Sequence, residues 1–223
     1  MNMKPVIVGI VGGSGSGKTT LAQGLAVLTE RYGSRMIPQD HYYRGVPAGG
    51  RADSYNFDEP AALDLELLAD HVKAAKEGKP FEMPQYSFAA HSRLPHTERV
   101  APVPLIIVEG LFLFSAAPLR EAFDLRFFVD VPMNERRRRR IARDTAERGR
   151  VSEDIVRQFD LQVEPMYLQH ILPTRQYADY VINLPNADER LYCEQVVEMW
   201  GRIERMLSER TAPFSEAGKV RAK

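Results

Sequence analysis

Cysteine is nearly missing from this sequence. Cys193 is the only one, so no intramolecular disulfide can form, and the composition suits a reducing cytoplasm. An excess of one charge is missing too. Thirty Lys and Arg stand against thirty Asp and Glu, for a formal net charge of +0, which argues against an overall basic field for nucleic acid or anionic membranes and leaves room only for a local basic patch. Long apolar runs are also absent. The N-terminal "MNMKPVIVGIVGGSGSGK" has only a few apolar residues before glycines intrude, too short for a membrane span, and it lacks a signal-peptide cleavage pattern. Internal repeats and low-complexity linkers are absent as well. The expectation is a soluble cytoplasmic protein with no membrane or nucleic-acid partner.

What the chain does hold is core. It is 44% hydrophobic over 223 residues, which fits one domain with room for an appended lobe. Five short apolar runs read as buried strands, at 5–11, 35–39, 104–110, 124–131 and 179–184. Helical patterns lie between them: Thr19 to Arg31, then 59–78 with Asp58 as N-cap and a glycine at its end, then 134–148, 152–170 and 188–208. In the last, Tyr192, Val196, Met199, Ile203 and Met206 recur near helical spacing and read as core. Strands buried on both faces and alternating with helices predict a parallel sheet covered on both sides, with ligands beyond the carboxyl ends of its strands. Residues 79–103, punctuated by prolines, break the alternation and read as a hairpin-like excursion. The expected domain runs from 1 to 210, with 211–223 as a flexible tail.

The chemistry enters with "GGSGSGKT". Gly12 to Thr19 matches G-x-x-x-x-G-K-[ST] between a strand and a helix, the setting this motif requires. Gly12, Gly13, Ser14, Gly15, Ser16 and Gly17 would turn backbone N–H groups onto phosphate oxygens, and Thr20 follows at the helix N-terminus, whose dipole favours anions. Lys18 can reach the β- and γ-phosphates, and the Thr19 hydroxyl can ligate Mg²⁺. The fold expected is therefore α/β: a five-stranded parallel sheet of P-loop NTPase type flanked by helices, with the small β-hairpin at about 79–103 and a helical arginine lid at about 134–150. The motif alone does not name the phosphate acceptor.

Three further features bear on the acceptor. Asp40, in "QDHYY" after the second strand, reads either as a base or water-mediated Mg²⁺ ligand beside the γ-phosphate, or as a turn aspartate. Glu109, closing "LIIVEG", reads either as an Mg²⁺ ligand or as a solvated strand end. "NERRRRRIARDTAERGR" at 134–150 would ordinarily be a solvated face or a nucleic-acid patch. Helical geometry puts Arg136, Arg140, Arg143 and Glu147 on one side, with Arg140–Asp144 and Arg143–Glu147 as i,i+4 pairs. That arrangement suits a lid whose guanidinium forks meet shifting negative charge.

Together "GGSGSGKTT", "QDHYY", "YNFDEPAALD", "PQYSFAAHSR", "IIVEG", "RRIARDTAERGR" and "RQYAD", in this order over about residues 5–182, resemble the uridine kinase (uridine–cytidine kinase) family. The resemblance implies transfer of the γ-phosphoryl group of ATP or GTP to the 5′-hydroxyl of uridine or cytidine, with Mg²⁺ as cofactor. It implies Asp40 as the base. It places Asp58 and Arg140 on the ribose hydroxyls, assisted by Gln158. Tyr86, His91 and Arg150 would read the pyrimidine edge, and Phe57 and Phe88 would pack its faces. Lys18, Arg143 and Arg148 would neutralise phosphates, and Thr19 and Glu109 would serve Mg²⁺ with Asp40 nearby. It also implies a homo-oligomer, a tetramer in many relatives. His41, His71, His96 and His170 keep an ordinary structural reading, and Tyr42 and Tyr43 brace the strand end.

The chain departs from the family pattern in places. Ser87 stands where relatives usually carry aspartate, Glu59 replaces a common histidine, and "YVINLPNADERLYCEQ" replaces a glycine/asparagine-rich turn that would border the adenine. Two alternatives remain: a P-loop kinase resembling phosphoribulokinase or pantothenate kinase, whose charged acceptor would need more cations on the hairpin than Arg93, and a non-catalytic NTP-binding regulator.

Overall fold

A computed structural model describes residues 4–47, 49–50, 55–186 and 188–211. The expected tail lies, from residue 212 on, outside the described residues. In chain order the elements are β1 (Val6–Gly12), α1 (Lys18–Thr29), β2 (Ser34–Pro38), α2 (Leu65–Lys76), β3 (Phe81–Ser87), β4 (Ser92–Val100), β5 (Leu105–Gly110), α3 (Ala117–Arg120), β6 (Leu125–Asp130), α4 (Met133–Arg148), α5 (Ser152–Gln158), α6 (Glu164–Met166), β7 (Tyr180–Asn183) and α7 (Glu189–Thr211).

Five strands form one sheet in the order β2-β5-β1-β6-β7, and every pairing in it is parallel. β1 is central and buried along its whole length. Its side chains divide between two apolar layers, as period-2 alternation requires. Ile7 and Val11 join Ile106, Val108, Phe112 and Phe128 on the face covered by α2 and the hairpin. Val8 and Ile10 join Leu21, Leu25, Phe127, Met199 and Ile203 on the face covered by α1 and α7. The apolar stripe of the last helix is thus core at Val196, Met199 and Ile203.

Register brings the chemistry to one edge. Glu109 pairs with Ile10 of β1 and with Pro38 of β2. Gly12 and Asp40 each lie two residues beyond those partners, so phosphate loop, Asp40 and Glu109 sit together at the carboxyl end of the sheet.

Two local expectations are corrected. The helix expected over 59–78 begins at Leu65. Asp64, not Asp58, is its N-cap, accepting from Leu67 N at 3.4 Å, and Pro60–Ala62 form a separate 3-10 turn. The helix expected over 152–170 runs on to Tyr177 through π-type turns at Phe159–Val163 and Tyr167–Ile171 and a 3-10 turn at Leu172–Tyr177. The hairpin expected at about 79–103 is present as an antiparallel pair, β3–β4, with a register shift between Pro84 and Tyr86. No helix among the described residues is long and apolar enough to cross a membrane.

Candidate active site

The phosphate loop is built to admit backbone only. A Cβ on Gly15, at φ +78°, would lie 2.2 Å from the Arg136 carbonyl oxygen, and one on Gly17, at φ +87°, would lie 2.0 Å from the Tyr192 hydroxyl. Arg136, the first of the arginine run, is buried beneath this loop rather than turned to a ligand. It donates to Glu164 at 2.7 Å and to the Val131 carbonyl at 3.1 Å, and its guanidinium lies over the Tyr167 ring at 3.8 Å. Lys18 opens α1 and lines the cleft. Thr20, beside it, is exposed.

At the foot of the loop the Thr19 hydroxyl donates to Glu109 at 3.1 Å. Glu109 is buried. Burial pushes its carboxyl above the usual carboxylate value and the Asp40 charge adds to the push, while Lys18 opposes it. These hard oxygen donors fit Mg²⁺. Among the described residues no cluster of three or more His, Cys, Asp or Glu could hold a metal ion by itself, so a cation here needs phosphate oxygens and water to complete its shell.

A cleft of about 1460 Å³ opens above, and it collects nearly every residue expected of the acceptor side. Asp40 enters from a 3-10 turn, Gln39–Tyr42, that follows β2. Buried Asp58 forms an ion pair with Arg140 at 3.1 Å, and Arg140 also donates to the Ser14 hydroxyl at 2.9 Å and to Gln158 at 3.3 Å. Burial works against the Arg140 charge, but Asp58 and then Asp144 outweigh it and hold the guanidinium protonated. Arg150 donates to the same Gln158 oxygen at 2.8 Å. A phosphate-loop hydroxyl is therefore joined by hydrogen bonds to the carboxylate expected to face a sugar.

The far wall is aromatic. Tyr43 lies 5.7 Å from Phe57 and 5.3 Å from Tyr86 between ring centroids, and Tyr86 meets Phe88 edge-on at 5.3 Å. His91 stacks on Phe57 at 5.3 Å. It is the one non-glycine among the described residues at positive φ, +49°, and its carbonyl accepts from Val46 N at 3.1 Å, which holds the tip in that conformation. The Tyr86 hydroxyl is buried without a hydrogen-bond partner among the described residues. A buried hydroxyl left so is costly unless a ligand completes it.

Two sequence doubts are settled by local contacts. Ser87 accepts from Ala90 N at 3.2 Å, so it caps the hairpin turn. Arg93 is engaged by the protein itself and is not among the residues that line the cleft. It donates to the Tyr43 carbonyl at 2.9 Å, the Tyr42 carbonyl at 3.0 Å and Asp64 at 3.3 Å, tying the hairpin to the turn that carries Asp40. The expected Arg143–Glu147 pair is corrected: Arg143 turns onto Asp144 at 2.8 Å, while Arg140 reaches Asp144 at 3.5 Å as expected.

Sequence reasoning missed Gln39 and Arg139, and it saw Asp144 only as the partner of Arg140. Gln39 is buried and accepts from both Leu111 N at 2.7 Å and Phe112 N at 3.0 Å, fixing the chain as it leaves β5. Asp144, fully buried, lies within 3.6 Å of Arg140, Arg143, Arg148 and Arg150. Its place inside "RDTAERGR" was the available signal. Arg139 joins Tyr192 at 2.6 Å, the Ser16 carbonyl at 3.2 Å and the Asn186 carbonyl at 2.6 Å, and Glu135 holds it at 2.7 Å. The divergent segment after β7 is thereby fastened to the phosphate loop. No spacing rule exposes that contact.

Comparison with known proteins supplies an independent line. The profile of the "Phosphoribulokinase / Uridine kinase family" matches residues 7–189. The uridine kinase of Chloroflexus aggregans is 41% identical over 186 residues, spanning 81% of this chain and 88% of that relative. That of Deinococcus deserti is 39% identical over 184 residues, with 81% and 88% covered. Among solved structures, phosphoribulokinase from Rhodobacter spheroides superposes with a TM-score of 0.60 at 18% identity, over 82% of this chain and 71% of that one. D-glycerate 3-kinase from Cryptococcus neoformans superposes with a TM-score of 0.55 at 16% identity, over 74% and 78%. At these identities the structural likeness speaks for the fold.

Proposed function

This chain belongs to the phosphoribulokinase/uridine kinase family, and we propose that it is a uridine/cytidine kinase. It transfers the γ-phosphoryl group of ATP or GTP to the 5′-hydroxyl of uridine or cytidine, giving UMP or CMP for pyrimidine salvage in the cytoplasm. The observation that carries the reading is the single cleft in which Lys18 and Arg143 of the donor side meet Asp40, Asp58 and the Phe57–Tyr86–His91 wall.

In this reading Asp40 accepts the 5′-hydroxyl proton, and Asp58 and Arg140 grip the ribose hydroxyls with Gln158 in support. Tyr86, His91 and Arg150 read the pyrimidine edge between Phe57 and Phe88. Lys18, Arg143 and Arg148 stabilise charge as it moves toward the leaving phosphate. The glycines from Gly12 to Gly17 cradle the polyphosphate. Mg²⁺ bound by Thr19 and Glu109, with Asp40 nearby, would supply further neutralisation of the phosphates. Such catalysis is mostly positioning and electrostatics, and closure of the arginine helix would exclude water from the transfer.

A sugar-phosphate acceptor is disfavoured, because Arg93, the hairpin arginine expected to meet a charged acceptor, is already bonded to two backbone carbonyls and Asp64. A homotetramer belongs to the same proposal and is tested by sedimentation. The activity is tested by coupled ADP release over a panel of nucleosides, ribulose 5-phosphate and pantothenate. Turnover with uridine or cytidine alone is expected; turnover only with a phosphorylated or carboxylated acceptor would overturn the assignment.

A further inference from the structure

Asp144 is the one carboxylate around which the arginine fan is arranged, and it does not itself line the cleft. It is fully buried near the carboxyl end of α4. Arg143 binds it closely, at 2.9 Å through Nε and 2.8 Å through Nη2. The other three stand at 3.5 Å (Arg140), 3.5 Å (Arg148) and 3.6 Å (Arg150). Two oxygens offer about four lone-pair positions, and one of them, Oδ2, makes no hydrogen bond. One negative charge is thus shared among four positive ones, and three of those are held loosely.

The second partners of these arginines divide them. Arg140 and Arg150 also bond Gln158, and Arg140 bonds Asp58, so both belong to the nucleoside side. Among the described residues Arg143 bonds Asp144 alone, and Arg148 reaches beyond it only to the Phe88 ring, at 5.0 Å from the guanidinium to the ring centre. Both line the cleft that Lys18 also lines, and the Arg143 charge acts on buried Glu109 at the foot of the phosphate loop. The backbone repeats the theme: the Asp144 carbonyl accepts from Arg150 N at 3.2 Å and from the Gly149 N–H, closing α4. Donor-side and acceptor-side cations therefore share one anchor.

We propose that Asp144 is a positioning residue that aims both sets of arginines from a single point, so that transfer requires it while the initial capture of polyphosphate does not. The proposal rests on the kinase reading, but its physical content can be measured without a nucleoside. Removing its charge leaves the cleft more positive, which favours anion capture, yet frees the guanidinium planes that must be oriented in the transition state.

The test compares the wild-type protein with Asp144→Asn, an isosteric change that removes the charge. Tripolyphosphate binding is measured by calorimetry, and kcat and KM are measured with uridine and Mg²⁺–ATP. A fall in kcat of about 30-fold or more with tripolyphosphate Kd unchanged or tighter is expected. A kcat within threefold of wild type overturns the proposal, as does a parallel loss of tripolyphosphate affinity by tenfold, the mark of a purely structural role. If Asp144→Asn does not fold, Asp144→Glu keeps the charge and displaces it by one methylene. A lowered kcat with tripolyphosphate affinity held supports the proposal, and an unaltered kcat overturns it. Should the wild-type protein phosphorylate no nucleoside, the kinase reading fails by itself. The tripolyphosphate arm then still decides, since tenfold weaker binding in Asp144→Asn overturns the proposal.

Discussion

Arg93→Met asks how much of the acceptor site depends on one anchor. The side chain is about a quarter exposed, at 28%, and its guanidinium bonds the Tyr43 and Tyr42 carbonyls and Asp64. A hydrogen bond from a charged donor contributes about 1.5–3 kcal/mol, and partial exposure argues for the low end. The Asp64 pair adds at most about 0.5 kcal/mol at such a site, because Arg44 and the cap of α2 still occupy that carboxylate after the change. The Tyr42 carbonyl also keeps a donor, Asp64 N at 2.9 Å. The expected loss is therefore about 2–3 kcal/mol, or about 5–10 °C in Tm for a chain of this length. Because the lost bonds join the hairpin to the Asp40 turn, kcat should fall and nucleoside KM should rise while ATP KM holds. Arg93→Lys should recover little, since a point charge cannot span three acceptors. Urea unfolding with an unchanged m-value and steady-state kinetics check this. A midpoint shift worth less than about 0.5 kcal/mol with both nucleoside constants unaltered would refute the reasoning, for it would mean that hairpin and turn hold their places independently.

Asp40→Asn should lower kcat by orders of magnitude and leave ATP affinity nearly intact, because it removes a proton acceptor without disturbing the phosphate loop; unchanged turnover excludes Asp40 as the base. Tyr86→Phe removes a buried hydroxyl that has no hydrogen-bond partner among the described residues. Stability should therefore hold or rise by up to about 1 kcal/mol while nucleoside KM rises about tenfold, and a loss of stability without a KM effect would contradict that assignment. The Arg138 hydrogen bond, followed by that from Arg139, brings the Glu135 carboxyl down to about 2. Its folded value lies below its unfolded one, so its stabilisation is present above about pH 4.5 and is lost as pH falls toward 2. Glu135→Gln should flatten that acid limb in thermal unfolding followed by circular dichroism, and an identical limb in both proteins would contradict the linkage.

The residues legible in the sequence were those whose role follows from local spacing. Gly12 to Thr19 announces a phosphate loop because the chemistry demands glycines, a lysine and a hydroxyl in fixed order. The five strands announce themselves because burial on both faces leaves uninterrupted apolar runs. Asp40 and Glu109 were ambiguous on spacing, and strand register removes part of that ambiguity by bringing both to the sheet edge that carries the loop. What stayed hidden was pairing across the fold. Asp58 looks like a helix cap, since an aspartate before a helical pattern usually is one, and only the approach of α4 shows that its partner is Arg140, 82 residues away. The stripe through Tyr192 reads as core because an aromatic at helical spacing usually packs there, yet its hydroxyl ends against the phosphate loop.

The arginine run is the instructive case. Read as five adjacent charges, it suggests a nucleic-acid surface. In the fold the five guanidiniums are spread over four carboxylates: Glu164 for Arg136, Asp160 for Arg137, Glu135 for Arg138 and Arg139, Asp58 for Arg140. A helix turns neighbours by about 100°, so adjacency in sequence disperses the charges in space. Two of the five are buried, where an unpaired charge could not persist. A run of like charge held this way is dispersed over several carboxylates, and the cations that gather in space are instead Arg140, Arg143, Arg148 and Arg150. Their grouping depends on Asp144, which composition alone gives no reason to single out.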